Sequence, residues 1–401
     1  MLQAKNEKGE FVTLFTLTKE KIAVLKKTSQ FFCPTCHEKV QIKAGKTKIP
    51  HFAHLPKSDC PARVGGEGPY HLAGKLQLYY WLKQQTSNVL LEPYIREINQ
   101  RPDILMYLNK RKIVIEFQCA TTSVSEIRTR TISYQSLGIK PIWIMGAMFF
   151  KRIGPNYIKI SPFILQFIHQ FHSTFPPSLY FYCPKSKQVV VANDILICTP
   201  QKAIAKLHFF KINQVSFSAL FKLSTLKDVE KRLLWKREKK RFRMKPRGRA
   251  YGKEREWLQW LYLRKTHIET LPSIVYLPVQ SQHKMITPLW NWQSRIYVDI
   301  LAPLHVGEVF SVQSCEFLLQ NHQRMTKHHP LIESSRHPIH EYLQWLVYFN
   351  YLMKVSRHHY KILKIIKSYH NIEHALAGDQ LLLADRADRT GKPIWIEEKS
   401  W

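Results

Sequence analysis

"RPDILMYLNKRKIVIEFQ", residues 101–118, decides how this chain is read. Apolar and polar residues alternate on both sides of Asn109-Lys110-Arg111. A period of two marks strands, and the polar centre marks a tight connection. Yet the segment carries Asp103, Glu116 and Gln118 where core residues are expected. Strand side chains alternate faces, so Ile113, Ile115 and Phe117 share one face while Val114, Glu116 and Gln118 share the other. A two- or four-residue loop centred on Asn109-Lys110 sets residue 103 opposite 116, and an odd loop length shifts that register. Carboxylates side by side repel. A divalent cation removes the cost, because Mg²⁺ binds through one or two carboxylates with waters and substrate phosphate. The competing reading pairs a surface Asp and Glu with Arg101, Lys110 or Lys112.

The flanking sequence frames this pair. Pro69 suits a first helical turn, and Leu72, Leu76, Tyr79 and Tyr80 recur at helical spacing. "VLLEPYIREI" (89–98) reads as a strand ahead of the pair. Ser123 and Glu126 form a capping-box pattern, Gly138 suits a helix stop, and "KPIWIM" (140–145) reads as a strand. The order across 70–146 is helix, three strands, helix, strand, a compact α/β unit with an antiparallel start.

The whole chain has 401 residues, of which 45% are hydrophobic and 12% aromatic, so it can bury real cores. Its 61 Lys+Arg against 29 Asp+Glu give a formal net charge of +32. Such an excess calls for a polyanion, and nucleic acid leads because neutralised phosphates release counterions. A membrane surface is the runner-up. No run of about 18 apolar residues exists, so no membrane span is expected. "FILQFIHQFHSTFPPSLYFY" (163–182) is interrupted by His169, His172 and a Pro pair. The N-terminus lacks a signal-peptide core, and seven scattered cysteines fit a reducing cytoplasm.

Four regions are expected. Residues 1–65 read as a small basic module with short strands such as "FVTLFTL". Residues 66–150 hold the α/β unit, 151–225 mix short strands and loops, and 226–401 are basic and mainly helical. Within the last, residues 227–249 hold 12 Lys/Arg against three acidic residues. That run reads as helical to Met244, and Lys239, Lys240 and Arg241 are its candidate DNA contacts. Residues 254–264 and 338–368 also read as helical.

The N-terminal module carries Cys33-x2-Cys36, His51-x2-His54 and Cys60. Zinc takes four sulfur or nitrogen ligands in a tetrahedron, and a Cys-x2-Cys turn supplies two of them. Cys33, Cys36, His54 and Cys60 are the favoured set, with His51 as the substitute. A module this small has little core, so a structural metal would help hold it. The alternative is unligated Cys and His in a loop.

The element order, with "RPDI" and "IEFQ", resembles the PD-(D/E)XK nucleases, a restriction-endonuclease-like fold. "CPTC…HFAH…C", "EGPYH", "RPDI…IEFQCA" and "RTISY…GIKPIWIMG" together resemble the competence protein CoiA family over about residues 30–146. The resemblance implies DNA processing and recombination during natural transformation, a cytoplasmic location and cooperation with the RecA recombinase. It implies that Asp103 and Glu116 hold Mg²⁺ or Mn²⁺, with Gln118 where the superfamily has lysine. Glu67 would be a further acidic ligand, and Lys75, one turn from His71, would face the same cleft; either the site works with glutamine, or Lys75 supplies the missing cation, or catalysis is lost. Arg130 and Tyr134 would hold the scissile phosphate. Cys119, beside the motif, reads as a buried small residue. A neutral glutamine can only hydrogen-bond where lysine brings charge. Two functions therefore compete: a metal-dependent deoxyribonuclease, and a catalytically silent DNA-binding recombination mediator. An RNA-binding protein trails, because no aromatic RNA-binding strand motif is visible.

Overall fold

A computed structural model describes residues 1–45, 49–56, 60, 68–245, 250–324 and 329–384. The N-terminal region runs β1 (Gln3–Asn6), β2 (Phe11–Thr13), α1 (Lys19–Thr28), β3 (Phe31–Phe32), β4 (Lys39–Lys43) and β5 (His51–His54). These strands make a five-stranded sheet in the order β2-β1-β3-β4-β5. "FVTLFTL" is a strand only to Thr13 and then tightens into a 3-10 turn, Leu14–Thr16.

Next come α2 (Pro69–Lys83), β6 (Val89–Leu91), β7 (Ile104–Leu108), β8 (Arg111–Gln118), α3 (Val124–Ser136) and β9 (Lys140–Gly146). This is the expected order of helix, three strands, helix, strand. Ser123 accepts from the Glu126 amide at the start of α3, and Gly138 at φ +66° follows its end. A left-handed residue there favours glycine. The strand expected over 89–98 stops at Leu91, because Pro93 has no amide hydrogen for a ladder. Glu92 turns left-handed at φ 47°, and a 3-10 turn over Arg96–Ile98 follows.

The chain continues through β10 (Arg152–Gly154), β11 (Tyr157–Lys159), α4 (Pro162–Leu165), β12 (Leu179–Cys183), β13 (Gln188–Thr199) and β14 (Lys202–Lys211). Two of these are long rather than short: β13 has 12 residues and β14 has 10. The near-continuous apolar run of β13 hid its length, since both its faces are buried. All strands from β6 to β14 lie in one nine-stranded sheet, ordered β10-β11-β14-β13-β12-β9-β8-β7-β6. The pairs β8·β9 and β9·β12 are parallel and the others antiparallel.

Helices cover both faces of the β7–β9 part of the sheet. Leu72, Leu76, Leu78 and Leu82 of α2 pack with Ile104, Ile113, Ile115 and Phe117. The apolar side of α2 runs through Leu78, Trp81 and Leu82, while Tyr80 turns outward. Gly74 is where helix and sheet come closest: a Cβ there would lie 2.0 Å from Phe117 Cε1. On the other face, Tyr134 of α3 packs with Leu105, Val114 and Ile139.

The C-terminal region holds α5 (Asp228–Met244), α6 (Gly252–Leu263), α7 (Leu289–Ile296), β15 (Val309–Ser311), α8 (Val312–Leu318), α9 (Pro338–Tyr348), β16 (Leu352–Lys354), β17 (His359–Ile362) and α10 (Ile372–Leu382). The helix expected over 338–368 ends at Tyr348, and Asn350 at φ 59° turns the chain toward a β16–β17 hairpin. The core of this region takes in Tyr157, Leu196, Cys198 and Ile204 from the large sheet.

Candidate functional site

The hairpin between β7 and β8 has the register that pairs the two acids. Leu108 lies opposite Arg111 and Ile104 opposite Ile115. The two linking residues, Asn109 and Lys110, both have positive φ, 47° and 64°, as a two-residue type I′ turn requires. Asp103 and Glu116 therefore face each other one step beyond the last ladder pair. Both line a cleft of about 490 Å³ with Tyr70, His71, Lys75, Glu92, Gln118 and Arg130. The cleft lies at the carboxyl ends of the parallel strands β8 and β9, where open α/β sheets place ligands.

The two carboxylates lean toward different helices. Asp103, at the strand end, turns to α2: Lys75 Nζ is 3.0 Å from Oδ1 and His71 Nε2 is 3.2 Å from Oδ2. The Phe117 amide also donates to Oδ2 at 2.9 Å. Burial alone would raise the Asp103 pKa, but Lys75, His71 and that amide hold it far below the usual carboxylate range. Glu116 engages α3, where Arg130 and Tyr134 (2.5 Å) both donate to its Oε1. Burial and the nearby Asp103 charge outweigh Arg130 here and push the Glu116 pKa up. The Tyr134 hydroxyl, buried beside Glu116, is pushed well above its ordinary value.

Lys75 is fully buried and bridges two acids, Glu92 at 2.6 Å and Asp103 at 3.0 Å. Glu92 is the site residue that the sequence reading missed. Its Oε2 accepts from the Leu2 amide at 2.8 Å, so it ties the N-terminal sheet to the cleft. Burial would raise its pKa, but Lys75 and other nearby cations bring it to about 2. A signal was present, because an acid directly before Pro93 ends a strand that must stop there.

Gln118 is half-buried, and its Nε2 donates to the Ala120 carbonyl at 2.5 Å. Its amide oxygen remains an acceptor. Cys119 is half-buried on the cleft wall rather than in the core. Glu67 lies outside the described residues.

In the N-terminal module, Cys33, Cys36, His54 and Cys60 each offer a donor atom within 4.8 Å of the other three. Cys33 Sγ and Cys60 Sγ are 3.9 Å apart, and Cys36 Sγ is 3.4 Å from His54 Nε2. Tetrahedral zinc with ordinary bond lengths places two sulfurs about 3.8 Å apart and a sulfur and a nitrogen about 3.6 Å apart. The donor set thus fits a closed structural metal. His51 faces elsewhere on β5, with Nδ1 2.9 Å from the Ile49 carbonyl.

The basic run corrects one expectation. Lys239 is 1% exposed, donates to the Ser273 and Val275 carbonyls at 2.7 Å and pairs with Asp379 of α10. Arg243 is buried against the same Asp379 at 3.0 Å, and Lys231 against Asp194 at 2.8 Å. A cation held in the core cannot meet a phosphate backbone. Lys240 is exposed, and exposed Arg241 pairs with Glu238 at 2.6 Å.

Residues 67–225, which contain the cleft, match the family model for the nuclease-like domain of competence protein CoiA. The class is therefore a nuclease-like α/β protein. Residues 14–63 match the N-terminal domain of the same family and 231–376 its C-terminal domain. The chain is 29% identical to competence protein CoiA of Bacillus subtilis (strain 168) over 362 residues, 88% of this chain and 95% of the relative. The chain belongs to the CoiA family of competence proteins. No solved structure matches it. Among the described residues, no helix is long and apolar enough to cross a membrane.

Proposed function

We propose that this competence protein processes DNA during transformation and recombination, as a cytoplasmic, metal-dependent deoxyribonuclease whose active cleft is built on Asp103 and Glu116. The observation that carries the reading is their convergence from two strands of one rigid hairpin onto one cleft. Asp103, Glu116 and the Gln118 amide oxygen offer the hard oxygen donors that Mg²⁺ or Mn²⁺ takes. A metal bound there would activate water and stabilise the departing oxygen of a phosphodiester. Lys75 would then position Asp103 from behind rather than touch substrate, because it is wholly buried. Arg130, 17% exposed along its side chain, would reach the scissile phosphate from the Glu116 side, with Tyr134 fixing Glu116.

Exposed cations such as Lys240 would hold the DNA backbone by counterion release. Zinc is the metal proposed for the Cys33, Cys36, Cys60 and His54 set, in a structural role. The RecA partnership follows from the family resemblance alone.

A second reading is favoured by a specific observation. Both carboxylates are already paired with protein cations, Asp103 with Lys75 and Glu116 with Arg130. With Gln118 in the lysine position, that arrangement also suits a silent nuclease fold that mediates recombination by binding DNA. The test is cleavage of single-stranded, duplex and branched DNA with Mg²⁺ or Mn²⁺, beside Glu116→Ala. Metal-dependent cleavage lost in the variant supports the nuclease. Tight DNA binding with no cleavage on any substrate supports the mediator.

A further inference from the structure

In the C-terminal region, three side chains converge between α8 and the start of α9. Glu316 lies on α8, His337 directly precedes Pro338, and His340 lies in the first turn of α9. One donor atom from each lies within 4.8 Å of the other two, and all three residues are partly buried. Glu316 Oε1 is 3.7 Å from His340 Nε2. The two imidazole rings lie 5.6 Å apart, nearly perpendicular at 85°. Zinc bound by nitrogen and carboxylate oxygen would place those donors about 3.4 Å apart, so little movement is needed.

The hydrogen bonding of His337 points the same way. Its Nε2 lies 3.1 Å from the Gln323 Oε1. A carbonyl oxygen only accepts, so Nε2 carries the hydrogen and Nδ1 carries the lone pair. That Nδ1 is buried and has no hydrogen-bond partner. A buried acceptor left unsatisfied is costly, and a cation would satisfy it. Metal-bound histidines characteristically donate their other ring hydrogen to a carbonyl or carboxylate, which is the part Gln323 plays.

We propose that Glu316, His337 and His340 form a second metal site, for a first-row divalent cation of the zinc class. Three protein ligands leave a position for water, and imidazole with carboxylate suits zinc, cobalt or nickel better than Mg²⁺. The ion would tie α8 to the start of α9. The set contains no thiolate, which separates it experimentally from the N-terminal cysteines.

The experiment is a cobalt(II) titration of the full chain followed by absorption. Cobalt at the cysteine set shows intense sulfur-to-metal charge transfer, and cobalt at the proposed site shows only weaker ligand-field bands. The expected result is a thiolate-linked equivalent plus a further thiolate-free equivalent. His340→Ala and Glu316→Gln should remove the thiolate-free equivalent and leave the other, while Gln323→Ala should weaken it about tenfold or more. Glu316→Gln is nearly isosteric at a side chain 40% exposed, so it carries the test should His340→Ala unfold. The proposal is overturned if the wild-type chain takes up no thiolate-free cobalt, or if Glu316→Gln takes up as much as wild type.

Discussion

Replacing Lys75 by methionine should loosen the cleft selectively. The side chain is fully buried and holds Glu92 at 2.6 Å and Asp103 at 3.0 Å. Methionine keeps the length and leaves two buried carboxylates without their shared cation. Removing one partner of a buried ion pair costs about 3–5 kcal/mol. At about 1.4 kcal/mol per decade, local opening should speed amide exchange by roughly two to three and a half orders of magnitude. Hydrogen exchange read by mass spectrometry on peptides from α2 and β6–β8 is the assay. The pH dependence supplies a second arm. In the native chain Asp103 and Glu92 have depressed pKa values. Their stabilisation is present above the unfolded values of about 4 and is lost as pH falls through the folded ones. In the variant His71 and the Phe117 amide still act on Asp103, and the N-terminus and Arg101 on Glu92, but the loss of Lys75 raises both pKa values, so acid costs the variant less than it costs wild type. The gap between the two proteins should be widest at pH 7 and narrow as pH falls through about 4. Exchange within about fivefold of wild type at pH 7, with no narrowing in acid, would refute the view that Lys75 holds the cleft together.

Other outcomes follow from the same structure. Asp103→Ala and Glu116→Ala should each lower metal-dependent cleavage by about a thousandfold or more, with DNA affinity nearly unchanged in a filter-binding assay. His54→Ala should release the N-terminal metal, whereas His51→Ala should keep it, as metal analysis of the full chain will report. Charge reversal at Lys240 and Arg241 should weaken binding to many DNA sequences alike and flatten the dependence of log affinity on log salt. Lys239→Glu should instead destabilise α5 against α10, visible as a lower midpoint of thermal unfolding, because it sets two acids against each other in the core.

Much of the cleft was legible because its determinants are local. A two-residue turn and strict alternation fix which residues face each other, so Asp103 and Glu116 could be paired from spacing alone. The Ser123 cap and Gly138 stop were readable for the same reason: each is a local backbone requirement met by one residue type. Direction of lean was not legible. Asp103 turns to α2 and Glu116 to α3 because one sits at a strand end and the other inside a strand. Glu92 was missed because its partners, Leu2 and Lys75, are remote in sequence. The basic helix misled in another way. Composition reports how many cations there are, but the partners that bury Lys231, Lys239 and Arg243 come from β13 and α10.

The two-residue turn at Asn109-Lys110 also limits how this protein can vary. Ile104, Met106, Ile113, Ile115 and Phe117 fill the core under α2, and the same count of residues brings Asp103 to Glu116. One residue added between them without a bulge would send every later side chain to the wrong face. The acids would part and the core would empty in a single event. Length changes in this hairpin must therefore come in pairs, or arrive with a compensating bulge. The fold and the facing of the two acids share one frame here, so the segment cannot lose that pairing by an uncompensated one-residue shift of spacing and still fold. Exchanging the acids themselves removes the pairing and leaves that frame intact.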